Sequence, residues 1–195
     1  MGEIAEKNRE RRSPRIPGVD YARAGAYFVT ICTRGRRRLF GEISGDGVMQ
    51  LSSAGKMVSD QWQRLSRRFP FISLDEFVVM PDHLHGIILI GCRGTGDNSQ
   101  NNGPESNPRA PTAERFGAPT AGSIPTIVRS FKSSTTLRYH FLVGRSTEPL
   151  WQRNYYEHII RGEEDLNRAR QYILDNPLQW SIDQETPEPV RTPIL

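Results

Sequence analysis

The chain has 195 residues, of which 25% are charged and 36% apolar, with a formal net charge of +4. That is enough for one domain with a buried core, and the composition is that of a folded protein. Two cysteines, Cys32 and Cys92, stand far apart without partners at metal-ligand spacing, which argues against a disulfide framework or a cysteine zinc site and fits a reduced, cytoplasmic protein.

In chain order, residues 1–20 are polar and basic, broken by Pro14 and Pro17, and read as a flexible arm. The arm has no apolar core that would make it a signal peptide, and Glu6 stands where a myristoylation signal wants Ser or Thr. AYFVTICT, from Ala26 to Thr33, is rich in aromatic and β-branched residues and predicts a buried strand. LSSAGKMVSDQWQRLSRRF places Leu51, Met57, Val58, Trp62, Leu65 and Phe69 at helical spacings, which predicts one amphipathic helix from Ser52 or Ser53 to just before Pro70. ISLDEFVVM and HLHGIILI read as two strands joined by a tight turn at Pro81 and Asp82, and no apolar run reaches membrane-spanning length. From about 92 to 122 the chain is Gly, Asn, Ser, Pro and Thr with hardly an apolar residue, a disordered-looking insertion within the domain. SIPTIVRSFKSSTTLRYHFL predicts a second helix, PLWQRNYYEHII a fourth strand, and GEEDLNRARQYILDNP a third helix ended by Pro177. This order, over a domain at 21–180 with an irregular tail at 181–195, is α+β: a ferredoxin-like split-βαβ sandwich. It implies an antiparallel sheet with helices on one face, plus an extra C-terminal helix.

Chemistry gathers in three places. His83 and His85 flank Leu84 on a strand, where alternation sends both imidazoles to one face, able to chelate a divalent ion. A lone His-x-His is more often a pair of ordinary polar residues at a strand end. Tyr172 and Asn176 are four apart, one above the other on a helix face. The first offers a phenol, the second an amide oxygen fit for a hard cation. Separately they are more often a core-facing aromatic and a helix cap. Arginines cluster at Arg11, Arg12 and Arg15 and again at Arg34, Arg36, Arg37 and Arg38, in a pattern that fits either phosphate binding or a solvated face.

Four blocks in sequence carry a family resemblance: YFVTICT, VVMPDHLHGIILI, LWQRNYYEHIIR and RQYILDNPLQW. They resemble the signature segments of the single-tyrosine HUH transposases (IS200-like), in the REP-associated branch, over roughly residues 15–180 apart from the insertion. The resemblance implies a ferredoxin-like fold. It implies His83, His85 and Asn176 as ligands of Mg²⁺ or Mn²⁺, and Tyr172 as the nucleophile. Where better-studied relatives carry Gln, this chain has the shorter Asn176, just before Pro177. The substrate implied is single-stranded or hairpin DNA, cut through a 5′-phosphotyrosine link, by a monomer or a homodimer. Trp151, Tyr155 and Tyr156 are candidates for stacking on unpaired bases, with Tyr155 and Tyr156 also rival nucleophiles, and Glu157 and His158 are candidates to support the site. A histidine-triad hydrolase would need a third alternating histidine where Ile87 stands. The alternative from another class is a non-catalytic DNA-binding protein on the same fold.

Overall fold

The computed structural model describes residues 24–91, 122–144 and 148–185. The basic arm with Arg11, Arg12 and Arg15, most of the low-complexity insertion, Cys92 and residues 186–195 lie outside the described residues. The elements are β1 (Gly25–Cys32), a 3-10 turn (Arg34–Arg36), β2 (Gly41–Ile43), β3 (Met49–Leu51), α1 (Ser53–Gln63), α2 (Leu65–Arg68), β4 (Ile72–Val79), β5 (His83–Ile90), α3 (Ile124–Leu142), β6 (Tyr156–Ile160) and α4 (Glu163–Glu185).

The main sheet runs β4-β5-β1-β6 and every neighbouring pair is antiparallel. Set aside the small β2–β3 hairpin, and this is the strand order of the split-βαβ sandwich. Alternation along β1 explains its two-sided apolarity. Tyr27, Val29 and Ile31 enter the larger core with Val58 and Trp62 of α1 and Ile127 and Phe131 of α3. Phe28 enters a smaller core with Ile87 of β5, Ile160 of β6 and Ala169 and Ile173 of α4. The sheet is therefore covered on both faces: α1 and α3 on one, α4 on the other.

Gly86 sits where β5 passes under Trp62. A Cβ there would come within 2.4 Å of the indole, so only glycine lets the ring lie on the sheet.

Three expectations change. The helix expected to run continuously to Pro70 is interrupted at Arg64, which separates α1 from α2, and Leu65 just beyond is buried at 3% exposure. The fourth strand is shorter than its sequence block. Only Tyr156–Ile160 is strand, and Trp151 upstream makes an isolated bridge to Thr33. Pro177 does not end the last helix, which runs on to Glu185, into the segment expected to be irregular tail. Proline removes one helical hydrogen bond and crowds the carbonyl four residues back. Packing beyond it holds the helix: Trp180 lies 5.6 Å, ring to ring, from His83, and Leu178 crosses so close to Gly47 that a Cβ there would meet it at 2.9 Å.

Candidate active site

β5 begins directly after the Pro81-Asp82 turn, and the turn is held from both sides. Thr33 N–H donates to the Asp82 carbonyl at 2.8 Å and Phe40 N–H to the Pro81 carbonyl at 3.0 Å. The strand so placed sends His83 and His85 to the α4 face, each 4% exposed. Their rings meet edge to face with centroids 4.5 Å apart, and the two Nε2 atoms face each other at 2.9 Å.

The outer nitrogens are held too. His83 Nδ1 lies 2.6 Å from Asp82 Oδ1, and His85 Nδ1 lies 2.8 Å from the Thr30 hydroxyl, its cross-strand neighbour on β1. Arg36 Nε pairs with the other Asp82 oxygen at 3.0 Å. Burial pushes the pKa of His83 down against the pull of Asp82, and pushes that of His85 well down, with the His83 and Arg36 charges adding to it. Neutral imidazole is the form that can bind a metal.

The facing helix supplies a stripe at every fourth residue. Tyr172 packs edge to face on His85 at 5.2 Å and on Phe28 at 5.8 Å, and Trp180 packs on His83 at 5.6 Å. Asn176, half-buried, is the residue between them on that stripe. Its turn of helix therefore passes over the imidazole pair. Arg170 clamps the helix in place by donating to both carboxylate oxygens of Asp75 on β4, at 3.0 and 2.7 Å.

Two converging Nε2 atoms, both outer nitrogens occupied, and an amide on the facing stripe form a donor set that fits a divalent cation of the Mg²⁺ or Mn²⁺ kind. Among the described residues no cluster of three or more His, Cys, Asp or Glu side chains forms a metal site.

The other sequence candidates fall elsewhere. Trp151, expected to stack on bases, is a core residue: 5% exposed, packed against Phe40 and Phe131, its Nε1 donating to Thr135 at 2.8 Å. Tyr155 packs against the larger core, with its hydroxyl donating to Glu157 at 2.8 Å and Lys132 lying 5.5 Å over its ring. Tyr156, 41% exposed, does share the histidine face, since Thr30 pairs with it on one side and with His85 on the other. His158 reaches away from the pair to Asp165 at 3.1 Å, tying β6 to the first turn of α4.

The arginine run is divided. Arg36 is committed to Asp82, Arg37 donates to Glu148 at 2.6 Å and Arg38 lies 5.8 Å over Trp180. Arg34, with Arg153, lines an open cleft of about 390 Å³. The residues missed from sequence are Thr30, Asp82 and Trp180, and Arg36, expected to face phosphate, turns instead to Asp82. Of these, Asp82 alone carries a local signal, a carboxylate directly before the first histidine, although its place beside Pro81 marks it first as a turn former.

No family model matches the chain. An uncharacterized protein of Haemophilus influenzae is 39% identical over 179 residues, covering 89% of this chain and 92% of its own. The two chains belong to one family. Among solved structures, a REP-associated tyrosine transposase bound to a REP hairpin matches 83% of this chain and 72% of its own, at a TM-score of 0.53 and 20% identity. The fold of this family member is thus that of a tyrosine transposase, with the C-terminal helix in place. A candidate transposase from Deinococcus radiodurans R1, at a TM-score of 0.44 and 15% identity over 84% of this chain and 98% of its own, is too distant to carry weight. No helix among the described residues is long and apolar enough to cross a membrane.

Proposed function

We propose that this chain is a DNA transposase of the single-tyrosine HUH type, cutting and rejoining single-stranded or hairpin DNA with Tyr172 as nucleophile. The observation that carries the reading is the meeting of two helix and two strand residues. Tyr172 lies against His85 within one chain, Asn176 follows on the same stripe, and His83 and His85 turn their Nε2 atoms together beneath it.

His83, His85 and Asn176 would hold Mg²⁺ or Mn²⁺, which when bound polarises the scissile phosphate and offsets the charge that builds on it. The chain's own residues do the rest. Phe28 and His85 hold the Tyr172 ring edge-on, so the hydroxyl is presented from a fixed direction and little orientation is left to be found during attack. The phenol loses its proton as its oxygen bonds to phosphorus. The bond to the 3′ oxygen breaks and that oxygen takes up a proton. A 5′-phosphotyrosine and a free 3′-hydroxyl result, and because the new ester keeps the energy of the old one, the reverse attack by another 3′-hydroxyl completes transfer without ATP. DNA as substrate is supported by the hairpin bound to the transposase of the same fold.

A nicking assay on hairpin DNA with single-stranded flanks, with and without Mg²⁺, tests this. Wild-type protein should cut and form a covalent adduct that peptide mass spectrometry maps to Tyr172. Tyr172→Phe should bind DNA and metal normally and form none. An adduct on Tyr156, or full nicking by the Phe variant, would sink the assignment. Hairpin binding with no nicking under any divalent ion would leave the non-catalytic alternative.

A further inference from the structure

We propose that Asp82 and Arg36 are positioning residues that hold His83 in the one tautomer whose Nε2 is bare toward His85. The proposal rests on the metal-site reading above and extends it to residues outside the ligand set.

Each oxygen of the Asp82 carboxylate has one task. Oδ1 lies 2.6 Å from His83 Nδ1 and Oδ2 lies 3.0 Å from Arg36 Nε. Arg36 Nε can only donate, so Oδ2 accepts from it and Oδ1 is left to accept from His83 Nδ1, which therefore carries the hydrogen. A neutral imidazole has one such hydrogen, so His83 Nε2 presents a lone pair. Across the 2.9 Å gap, His85 Nε2 must then donate, and its Nδ1 accepts from the Thr30 hydroxyl at 2.8 Å.

The result is a one-way chain: Thr30 donates to His85, His85 to His83, His83 to Asp82, and Arg36 donates to Asp82 from the other end. The two histidines are therefore unequal. His83 is ready to bind a cation as it stands. His85 carries its hydrogen on Nε2, and holding a cation there would require that hydrogen on Nδ1 instead, which Thr30 permits because its hydroxyl can turn from donor to acceptor. A carboxylate in the place of Thr30 would lock the second ring; a hydroxyl leaves it free to change.

Arg36 is what makes a buried carboxylate tenable here. The Asp82 side chain is 5% exposed, and without a cationic partner its charge would be uncompensated. The backbone is bent to deliver that partner. Gly35 and Arg36 both have left-handed φ, 67° and 55°, and arginine rarely adopts such a value without a reason in its surroundings. The turn folds the side chain back over the end of β1, where Nη1 also donates to Cys32 Sγ at 2.9 Å.

Two measurements on the full chain test this. In the metal-free protein, ¹⁵N-detected imidazole NMR should find His83 protonated on Nδ1 and His85 on Nε2. In Mn²⁺ titrations followed by electron paramagnetic resonance, Asp82→Ala should weaken binding by about 10- to 100-fold, the usual cost of losing a carboxylate behind a ligating histidine. Asp82→Asn, which keeps the acceptor without its charge, should fall between that and wild type, as should Arg36→Gln, with Arg36→Lys recovering part of the loss. Should Asp82→Ala fail to fold, the wild-type tautomers and the Asn variant still decide. His83 protonated on Nε2, or wild-type Mn²⁺ affinity in the Asp82 variants, overturns the proposal. If His83→Ala also leaves Mn²⁺ binding unchanged, the metal-site reading falls with it; if His83→Ala abolishes binding, only the positioning role is lost.

Discussion

At the scale of single residues, burial does two things to the histidine pair. It disfavours the charged forms, and it turns the rings toward each other and their outer partners. The folded-state pKa values of His83 and His85 are both depressed, while in the unfolded chain they return to about 6.5. Protons compete with a cation for Nε2, so the competition should begin only below the ordinary histidine range. Mn²⁺ affinity should stay level as the pH falls from 8 through about 6.5 and decline beneath it. A decline centred at or above that value, in the same titration, would mean the rings are open to solvent. The sign for stability follows from the same depression. As pH falls below about 6.5 the unfolded chain takes up protons that the folded one refuses, so acid lowers the metal-free protein's stability until the folded values are passed. Unfolding midpoints at pH 7.5 and 5.5 would show it.

At the scale of elements, α4 is the part that must be placed well, because it carries Tyr172 and Asn176 across the strands that carry the histidines. Its first half is held by Ala169 and Ile173 in the smaller core and by the Arg170–Asp75 pair. The Arg170 hydrogen bonds hold the Asp75 carboxyl below its usual range, against some desolvation. A depressed carboxylate stabilises above its unfolded value and loses that contribution as pH falls through its folded one. Asp75→Asn should therefore lower the urea midpoint at pH 7 and slow nicking, and the difference from wild type should fade only as pH drops below the ordinary carboxylate value of about 3.9. A pH-independent difference would point to packing instead of charge. The second half of α4 contains Pro177, which in a helix interior costs up to about 3 kcal/mol relative to alanine. Pro177→Ala should raise stability by about 1–3 kcal/mol in urea unfolding. It should also reduce cleavage, since any change in the path of the helix at Pro177 shifts Trp180 relative to Asn176 and Tyr172. A stabilised variant with full activity would show that the proline has no part in presenting the site.

At the scale of the whole molecule, the question is which positive charges remain for DNA once the fold has used the others. Arg36 and Arg37 are engaged by Asp82 and Glu148, so the arginines of residues 34–38 do not act as one free cluster. Arg34 and Arg153 line a cleft beside the end of β1, one strand away from the start of β5 where the histidines stand. Arg34→Ala and removal of residues 1–15 should each weaken hairpin binding and flatten its salt dependence by roughly 0.7–0.9 of a log–log unit per lost phosphate contact. Arg36→Gln should instead act mainly through the metal. Salt titrations of binding, done without divalent ions, separate the two, and unchanged slopes for the first pair would make those residues ordinary surface.

Much of this was legible in the sequence because it depends on local periodicity. Alternation in YFVTIC and HLHGIILI placed two strands and sent both imidazoles to one face, and a four-residue spacing put Tyr172 and Asn176 on one stripe. The order of elements then left the split-βαβ sandwich as the fold. The small β2–β3 hairpin went unread although Gly45-Asp46-Gly47 between Ile43 and Met49 is a recognisable turn. What no spacing could supply is which side chains are consumed by others. Trp151 looked like a stacking platform until Phe40, Phe131 and Thr135 closed around it, and Arg36 looked like a free charge until a left-handed turn brought it to Asp82. Pro177 looked like an end until Leu178 and Trp180 found partners beyond it. Periodicity along a strand or helix is set by backbone geometry, which every residue carries with it. Partnership depends on residues that are neighbours only after the chain has folded, so the face a side chain occupies could be read in advance, and what it touches there was decided by the tertiary structure.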